Sequence, residues 1–239
     1  MSGLTKQTVV VVGASSGIGL AAAKVAASRG ADVVMLSRSQ AKLDEAAKTV
    51  IGGTTRAVAM DMLDAAAVDR VMATIGSVDH LVLTAVANEL GSRGAIRVLT
   101  NEQVERTFDK LRGFVNVTRA AVPLFRERGS IILVTGASAM KPPREGFSVL
   151  AAASGSLLSF GKALALELAP IRVNVLMSGV VDTPIHAGRR EEMKAWAEKD
   201  LLVHRFGQPE DIAHAIEFLM TNPYVTATTL TVDGGFVAT

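Results

Sequence analysis

The sequence contains no cysteine, which excludes disulfide bridges, thiolate zinc sites and a cysteine nucleophile. Aromatic residues make up only 4% of the chain, with one tryptophan and one tyrosine, Tyr224. Any chemistry that needs a phenol therefore depends on a single residue, which comes just before the last predicted strand.

Several signals of particular partners are also missing. The formal net charge is only +2 and the basic residues are scattered, so we expect neither a nucleic acid nor a membrane as a partner. Histidines and acidic residues do not cluster at ligand spacing, so no metal site is expected. The N-terminal segment lacks the apolar core of a signal peptide, and no apolar run is expected to reach membrane-spanning length. These absences predict a soluble, cytoplasmic protein.

What the chain does contain is a regular alternation of short β-branched runs with Ala-rich helical stretches. Apolar runs without polar alternation need burial on both faces, which is typical of parallel sheets covered by helices. A chain of 239 residues, 49% of them hydrophobic, suits one domain over residues 1–239. We predict an α/β, Rossmann-like doubly wound parallel sheet of about seven strands with helices on both faces. The predicted strands are 8–12, 32–37, 56–60, 80–85, 130–136, 171–177 and 227–233.

A glycine-rich turn, GASSGIG, follows the first predicted strand and places Gly13, Gly17 and Gly19 at the start of a helix. Glycines allow a tight turn and a close backbone approach, so that free N–H groups at the helix start can face a pyrophosphate. This context favours a dinucleotide site, although a purely structural turn would also account for the glycines.

With this turn, the sequence resembles the short-chain dehydrogenase/reductase family over almost its whole length. The other matching segments are AMDMLD around Asp61, LALELAPIRVNVLMSGVVDTP, RFGQPEDIAHAIEFL and TLTVDGGF. The resemblance implies an oxidoreductase that transfers hydride between a nicotinamide dinucleotide and a carbonyl or alcohol. Asp61 taken alone could equally be a helix cap. The resemblance implies that the nucleotide contacts Gly13, Ser15, Ser16, Gly17, Ile18, Gly19, Asp61, Met62, Ala85, Ser178, Gly179, Val181 and Thr183.

The end of the second strand indicates which dinucleotide binds. An acidic residue at this position accepts hydrogen bonds from the ribose hydroxyls of NAD and repels the additional phosphate of NADP. Here the chain reads MLSRSQ, so Ser37 takes the acidic position and Arg38 follows it. A guanidinium binds a phosphate through paired hydrogen bonds, which predicts NADP(H) in preference to NAD(H). The alternative is that Arg38 is a solvated surface residue.

The proton-transfer residues of the family are missing from this chain. Relatives use a tyrosine and, four residues later, a lysine that lowers the pKa of the phenol. Counting back from LALELAP, these positions hold Leu150 and Ser154. The family's serine falls at or near Ala137, with Ser138 one place away, and its asparagine is replaced by Lys110.

Three residues are candidates for a role in such a site. Lys110 could reach the space left by the missing pair or could extend into solvent. His186, in DTPIHAG, could act as an acid or base near neutral pH or could simply be solvated. Ser138 is the third. The catalytic group is otherwise unknown, and the alternative function is an inactive nucleotide-binding, sensing or structural subunit.

The predicted helices around 101–126 and 148–169 are apolar on more than one face. A monomer would expose this surface to water. As in relatives, where these two helices form the contacts between subunits, we expect a homo-oligomer, either a tetramer or a dimer, acting on a small-molecule substrate.

Overall fold

The computed structural model describes residues 3–86, 93–142 and 145–239 of the chain. Its strands are β1 (Thr8–Val12), β2 (Asp32–Ser37), β3 (Thr55–Ala59), β4 (Val78–Leu83), β5 (Phe125–Gly136), β6 (Arg172–Ser178) and β7 (Thr229–Val232). They form one sheet in the order β3-β2-β1-β4-β5-β6-β7, and every neighbouring pair is parallel. The predicted Rossmann-like fold is confirmed.

Helices cover both faces of this sheet. In the described ranges they are α1 (Gly17–Ser28), α2 (Gln40–Ala47), α3 (Ala65–Met72), α4 (Asn101–Thr107), α5 (Asp109–Ala121), α6 (Ser148–Glu167), α7 (Arg190–Asp200) and α8 (Pro209–Thr221). Side chains of α1, α2 and α8 form the core on one face, and those of α3, α5 and α6 form the core on the other. Within β1, Val11 enters the first core and Val10 the second. This two-sided burial explains why the strands read as continuous apolar runs.

The strand bounds follow the sequence prediction closely except in β5. This strand begins at Phe125 rather than at residue 130. Its first part is the polar run RERG, which carries no apolar signal, and its pairing with β4 changes register between Val78 and His80. The early start of β5 could therefore not be predicted from hydrophobicity.

The prediction of one long helix over 101–126 is wrong. The chain forms two helices there, α4 and α5, with Phe108 between them at φ −88° and ψ 1°. After α5 the chain enters a 3-10 turn that contains Pro123, and β5 follows it directly. Proline cannot continue the hydrogen bonds of an α-helix, so the helical segment ends before it.

The expectation that no apolar run reaches membrane-spanning length is also wrong. By length and composition alone, α6 is long and apolar enough to cross a membrane, with a mean hydropathy of 1.5. Leu157, Leu164 and Ala165 of this helix are buried in the core on one face of the sheet. Some of the apolar residues of α6 are therefore the ones that pack against the sheet.

His80 lies in the amino-terminal half of β4, away from the glycine-rich turn. Its Nε2 lies 2.9 Å from Oε1 of Gln7 and its Nδ1 lies 2.8 Å from Oγ of Ser130. A neutral ring that donates from Nε2 and accepts at Nδ1 satisfies both contacts. Burial, reinforced by the positive charge of Arg172 and opposed by Asp79, lowers the pKa of His80 from 6.5 to about 4. His80 is therefore neutral in the folded protein near pH 7.

Candidate functional site

The carboxyl ends of the strands open onto a cavity of about 590 Å³. The cavity lies where the strand order reverses between β1 and β4, which is the position at which doubly wound sheets bind ligands. The structure brings together around it every residue assigned to the nucleotide from the sequence. These are Gly13, Ser15, Ser16, Gly17, Ile18, Gly19, Arg38, Asp61, Met62, Ala85, Ser178, Gly179, Val181 and Thr183.

The glycine-rich turn between β1 and α1 forms one wall of this cavity. Gly13 and Gly17 have φ values of +95° and +54°, which residues with a side chain rarely adopt. A Cβ on Gly13 would lie 2.7 Å from the backbone nitrogen of Ala85, and one on Gly17 would lie 3.0 Å from Cγ2 of Thr183. The turn thus contacts the segments that follow β4 and β6, and any side chain at these positions would separate them.

The N-terminus of α1 faces the same cavity. In the described part of the chain, no side chain caps this helix and its first turn carries no acidic residue. The first backbone N–H groups of a helix have no partner within the helix, and the helix dipole makes this end positive. The turn and helix together fit the pyrophosphate of a dinucleotide.

Two cations lie where β2 ends. Ser37, the last residue of β2, has its Oγ 3.0 Å from Oγ of Ser15 in the glycine-rich turn. Arg38 and Lys42 are both exposed and line the cavity beside them. Lys42 was not identified from the sequence. Its position in the first turn of α2, four residues after Arg38, could have indicated that it lies near the end of β2. This end of the site presents two positive charges to a ligand.

Asp61 lies on the wall formed by the segment after β3. Its Oδ1 accepts a hydrogen bond from the N–H of Leu63 at 2.9 Å. The helix-cap alternative for Asp61 is wrong, because α3 is capped by Asp64. The carbonyl of Met62 accepts a hydrogen bond from Nδ2 of Asn116 at 3.0 Å, which attaches this segment to α5.

The positions that the sequence predicts for the proton-transfer pair face the cavity. Leu150 and Ser154 lie one turn apart on α6, line the cavity and are 6% and 9% exposed. Neither side chain can exchange a proton with a substrate near neutral pH. Tyr224 is 97% exposed outside this cavity, so the chain's one phenol cannot replace the missing tyrosine.

Hydroxyl groups occupy this part of the site instead. Oγ of Ser138, in the 3-10 turn after β5, lies 3.2 Å from Oγ of Ser154. Thr135 donates from Oγ1 to the carbonyl of Ser154 at 3.1 Å, and Ser178 donates from Oγ to the carbonyl of Thr135 at 3.3 Å. Thr135 also lines the cavity and was not identified from the sequence, because its contact with α6 depends on tertiary packing.

Lys110 and His186 also line the cavity. Lys110, on α5, is half-buried, and its Nζ lies 5.6 Å from the ring centre of Phe114. The pKa of His186 is lowered from 6.5 mainly by burial and also by the positive charges of Arg189 and Arg93, while Asp182 opposes the shift. His186 is therefore neutral near pH 7 and is better suited to accept a proton than to donate one.

In the described residues, no group of three or more histidine or acidic side chains is arranged so that it could hold a metal ion. The cavity therefore offers an anion-binding turn, a cationic end and a cluster of hydroxyl groups. This arrangement can bind a dinucleotide and a second small molecule beside it, but Leu150 and Ser154 supply no acid that titrates near neutral pH.

Comparison with known proteins gives matches over nearly the whole chain. A family model described as enoyl-(acyl carrier protein) reductase matches residues 13–237. Carbonyl reductase family member 4 of Danio rerio is 32% identical over 232 residues, which cover 95% of this chain and 96% of that protein. Dehydrogenase/reductase SDR family member 4 of Homo sapiens is 33% identical, with 97% and 88% covered. The crystal structure of L-sorbose reductase from Gluconobacter frateurii, complexed with NADPH and L-sorbose, superposes with a TM-score of 0.90 at 28% identity, covering 100% of this chain and 99% of that one.

Proposed function

Because the chain belongs to the short-chain dehydrogenase/reductase family, we propose that it is an oxidoreductase that binds NADP(H) and transfers hydride to or from a small carbonyl or alcohol substrate. One observation carries this proposal. All the residues assigned to the nucleotide from the sequence line a single cavity at the switch point of the sheet. The bound NADPH in the similar L-sorbose reductase supports the choice of cofactor.

Each part of the cavity has a role in this proposal. The glycine-rich turn and the N-terminus of α1 bind the pyrophosphate, and Asp61 and Met62 flank the adenine. Arg38 and Lys42 bind the 2′-phosphate. The segment from Ser178 to Thr183 holds the nicotinamide end, where the cofactor supplies hydride. Positioning by these groups accounts for hydride transfer but provides no acid or base.

A second function, nucleotide binding without turnover, is favoured by Leu150 and Ser154 in the positions of the proton-transfer pair. A screen of carbonyls with NADPH and of alcohols with NADP⁺, run beside direct nucleotide binding, separates the two functions. Turnover of any substrate supports the oxidoreductase function. Binding without turnover of simple or conjugated carbonyls supports a sensing or structural subunit.

Replacing Arg38 by alanine is expected to weaken NADPH binding by about tenfold and to leave NADH binding nearly unchanged. Loss of a hydrogen-bonded ion pair with phosphate weakens binding by this order of magnitude. Because Arg38 is exposed, we expect an effect at the low end of that range. Fluorescence titration with both nucleotides measures the change. Arg70→Ala, an exposed arginine of α3 outside the cavity, is the matched control. Equal losses for NADPH and NADH, or no loss for NADPH, contradict the assignment of Arg38.

We also propose that the protein forms a homo-oligomer through α5 and α6. Leu166 of α6 is 83% exposed and Val115 of α5 is 39% exposed in the single chain. Light scattering at micromolar concentration is expected to show a dimer or tetramer, and Leu166→Glu is expected to shift it toward the monomer. Ile51→Glu, at a residue that is 81% exposed outside these helices, is the control. A native mass near 25.0 kDa contradicts this proposal.

We propose that the protein, as a single domain over residues 1–239, acts on a small molecule in the cytoplasm. Neither a nucleic acid nor a membrane is part of the proposed function. The near-neutral formal charge of +2 and the absence of a charge cluster in the sequence support this view.

A further inference from the structure

Residues 182–207, the β6–α8 segment, connect the sixth strand with the last long helix. The two ends of this segment meet, because the N–H of Asp182 donates to the carbonyl of Gly207 at 2.8 Å. Between these ends, residues 183–186 line the cavity, and α7 follows them. The contacts that hold α7 in place therefore also determine how this wall of the cavity is closed.

The β6–α8 segment has a small apolar core, separate from the two cores that cover the sheet. Its buried members are Ala197, Leu201 and Phe206, and Trp196 and Phe236 pack against them. Phe236 belongs to a different part of the chain, the turn that follows β7. The rings of Trp196 and Phe236 meet edge to face, with their centres 5.7 Å apart and 76° between their planes. This contact attaches α7 to the turn after β7.

The turn after β7, residues 233–239, contacts two other parts of the site. A Cβ on Gly179, which lines the cavity, would lie 2.6 Å from the Cα of Asp233. The N–H of Val203, near the end of the β6–α8 segment, donates to the carbonyl of Gly234 at 3.3 Å. The turn therefore lies between the cavity wall that follows β6 and the end of the β6–α8 segment.

A lysine from the segment after β5 binds this turn. The backbone N–H of Lys141 donates to the carbonyl of Ala137, so its side chain extends from the 3-10 turn that follows β5. Its Nζ donates to the carbonyl of Phe236 at 2.9 Å and to Oγ1 of Thr239 at 3.0 Å. The same ammonium lies 4.9 Å from the ring centre of Phe236, a distance at which a cation is attracted to an aromatic ring. Lys141 therefore fixes the ring that contacts Trp196 of α7.

We propose that Lys141 is a positioning residue, which acts through Phe236 and Trp196 to hold the β6–α8 segment closed over a nucleotide in the cavity. This inference rests on the proposed function, which supplies the nucleotide. Release of the nucleotide requires residues 183–186 to move away, and the contacts of Lys141 oppose that movement. Lys141 is not among the described residues that line the cavity, so it acts on the ligand only through the segment.

The strength of this attachment suits a part of the protein that opens and closes. Lys141 is half-buried, and its partners are a carbonyl and a hydroxyl rather than a carboxylate. Such hydrogen bonds contribute modestly to stability, because water competes for both partners. The core of the β6–α8 segment has three buried members within the described residues, and regions with few buried contacts open most readily. The segment can therefore open while the sheet stays folded.

The fluorescence of Trp196 tests the contact without any nucleotide, because it is the one tryptophan of the chain. Lys141→Met removes the ammonium and keeps a side chain of similar length. In this variant, the emission is expected to shift to longer wavelength and its quenching by acrylamide to increase, because Phe236 shields the indole less. Lys141→Arg, which keeps the charge and the donors, should recover most of the native signal. Lys194→Met, at an exposed position of α7 outside the cavity, is the matched control.

The rate at which bound NADPH leaves tests the consequence for the ligand. Stopped-flow mixing of the NADPH complex with excess NADP⁺ measures this rate. Lys141→Met is expected to speed release by about three- to tenfold, the usual effect of losing one or two hydrogen bonds. Phe236→Leu should act in the same direction, and the double variant should be little faster than either single variant, because both residues act through one contact. Melting curves establish that each variant is folded.

Three results would overturn the inference. They are unchanged quenching of Trp196 in Lys141→Met, unchanged NADPH release in that variant, or fully additive effects of Lys141→Met and Phe236→Leu. Titration of the native protein with NADPH tests the proposed function separately. A native protein that binds NADPH and releases it as fast as Lys141→Met does refutes the role of Lys141 alone, whereas one that binds no NADPH refutes the proposed function.

Discussion

Replacing Leu150 by tyrosine and Ser154 by lysine together is expected to raise the reduction of small unconjugated ketones by about 10²–10⁴-fold, the usual contribution of positioned proton transfer. Both positions line the cavity on one face of α6, so the new phenol and ammonium would lie one turn apart beside the substrate. The lysine lowers the pKa of the phenol toward the working pH. Steady-state oxidation of NADPH with a simple ketone measures the gain over the native rate, which should be low.

The matched control is Leu150→Phe with Ser154→Lys, which adds the same ring without the hydroxyl. It should leave ketone turnover at the native level while changing the packing of α6 in the same way. Adding Lys110→Asn to the tyrosine and lysine changes should increase turnover further, because it removes a second cation from the cavity that holds the new lysine. Native turnover of simple ketones at the rate of the double variant contradicts this expectation. Loss of that turnover in His186→Ala would then identify the proton source.

Acid is expected to destabilise the protein through His80. The pKa of His80 is about 4 in the folded chain against 6.5 when unfolded, so below pH 6.5 the unfolded state binds a proton that the folded state does not. The free energy of unfolding therefore falls as the pH decreases from 6.5 to about 4 and levels off below. Above pH 6.5 the residue is neutral in both states and contributes nothing to the pH dependence. The shift corresponds to a loss of roughly 3 kcal/mol.

Urea unfolding of the native protein and of His80→Asn, followed across this pH range, measures the contribution. The variant should start less stable, because the contacts with Gln7 and Ser130 change, but it should lose less stability as the pH falls. Equal pH dependence in His80→Asn and the native protein would exclude His80 as the cause.

Much of the fold could be predicted because its strands are buried on both faces. β1 and β2 have the predicted bounds, since each is an apolar run between turn residues. The start of β5 could not be predicted, because its polar residues 126–128 carry no apolar signal and lie between the pair of Phe125 with Val78 and the pair of Ser130 with His80, where the register shifts. The division of 101–126 at Phe108 was missed because helical periodicity continues across it. The local hydrophobic pattern thus predicted the strands and most helices, whereas tertiary contacts determine where some of them begin and end.

The glycine-rich turn and the cluster of hydroxyl groups differ in how far each could be predicted from the sequence. A nucleotide turn is readable because backbone conformation demands glycine at Gly13 and Gly17, which leaves a pattern in the sequence. The cluster of hydroxyl groups leaves no such pattern. Ser138 and Ser154 are 3.2 Å apart only because α6 packs beside the turn that follows β5. Their pairing could be found in the structure and not in the spacing.

The most direct test of the proposed function is a calorimetric titration of the native protein with NADP⁺ and, separately, with NAD⁺. If the cavity at the switch point binds a dinucleotide and Arg38 and Lys42 bind its 2′-phosphate, NADP⁺ should bind once per chain and at least about tenfold more tightly than NAD⁺. Tighter binding of NAD⁺, or no heat of binding with either nucleotide, would contradict it.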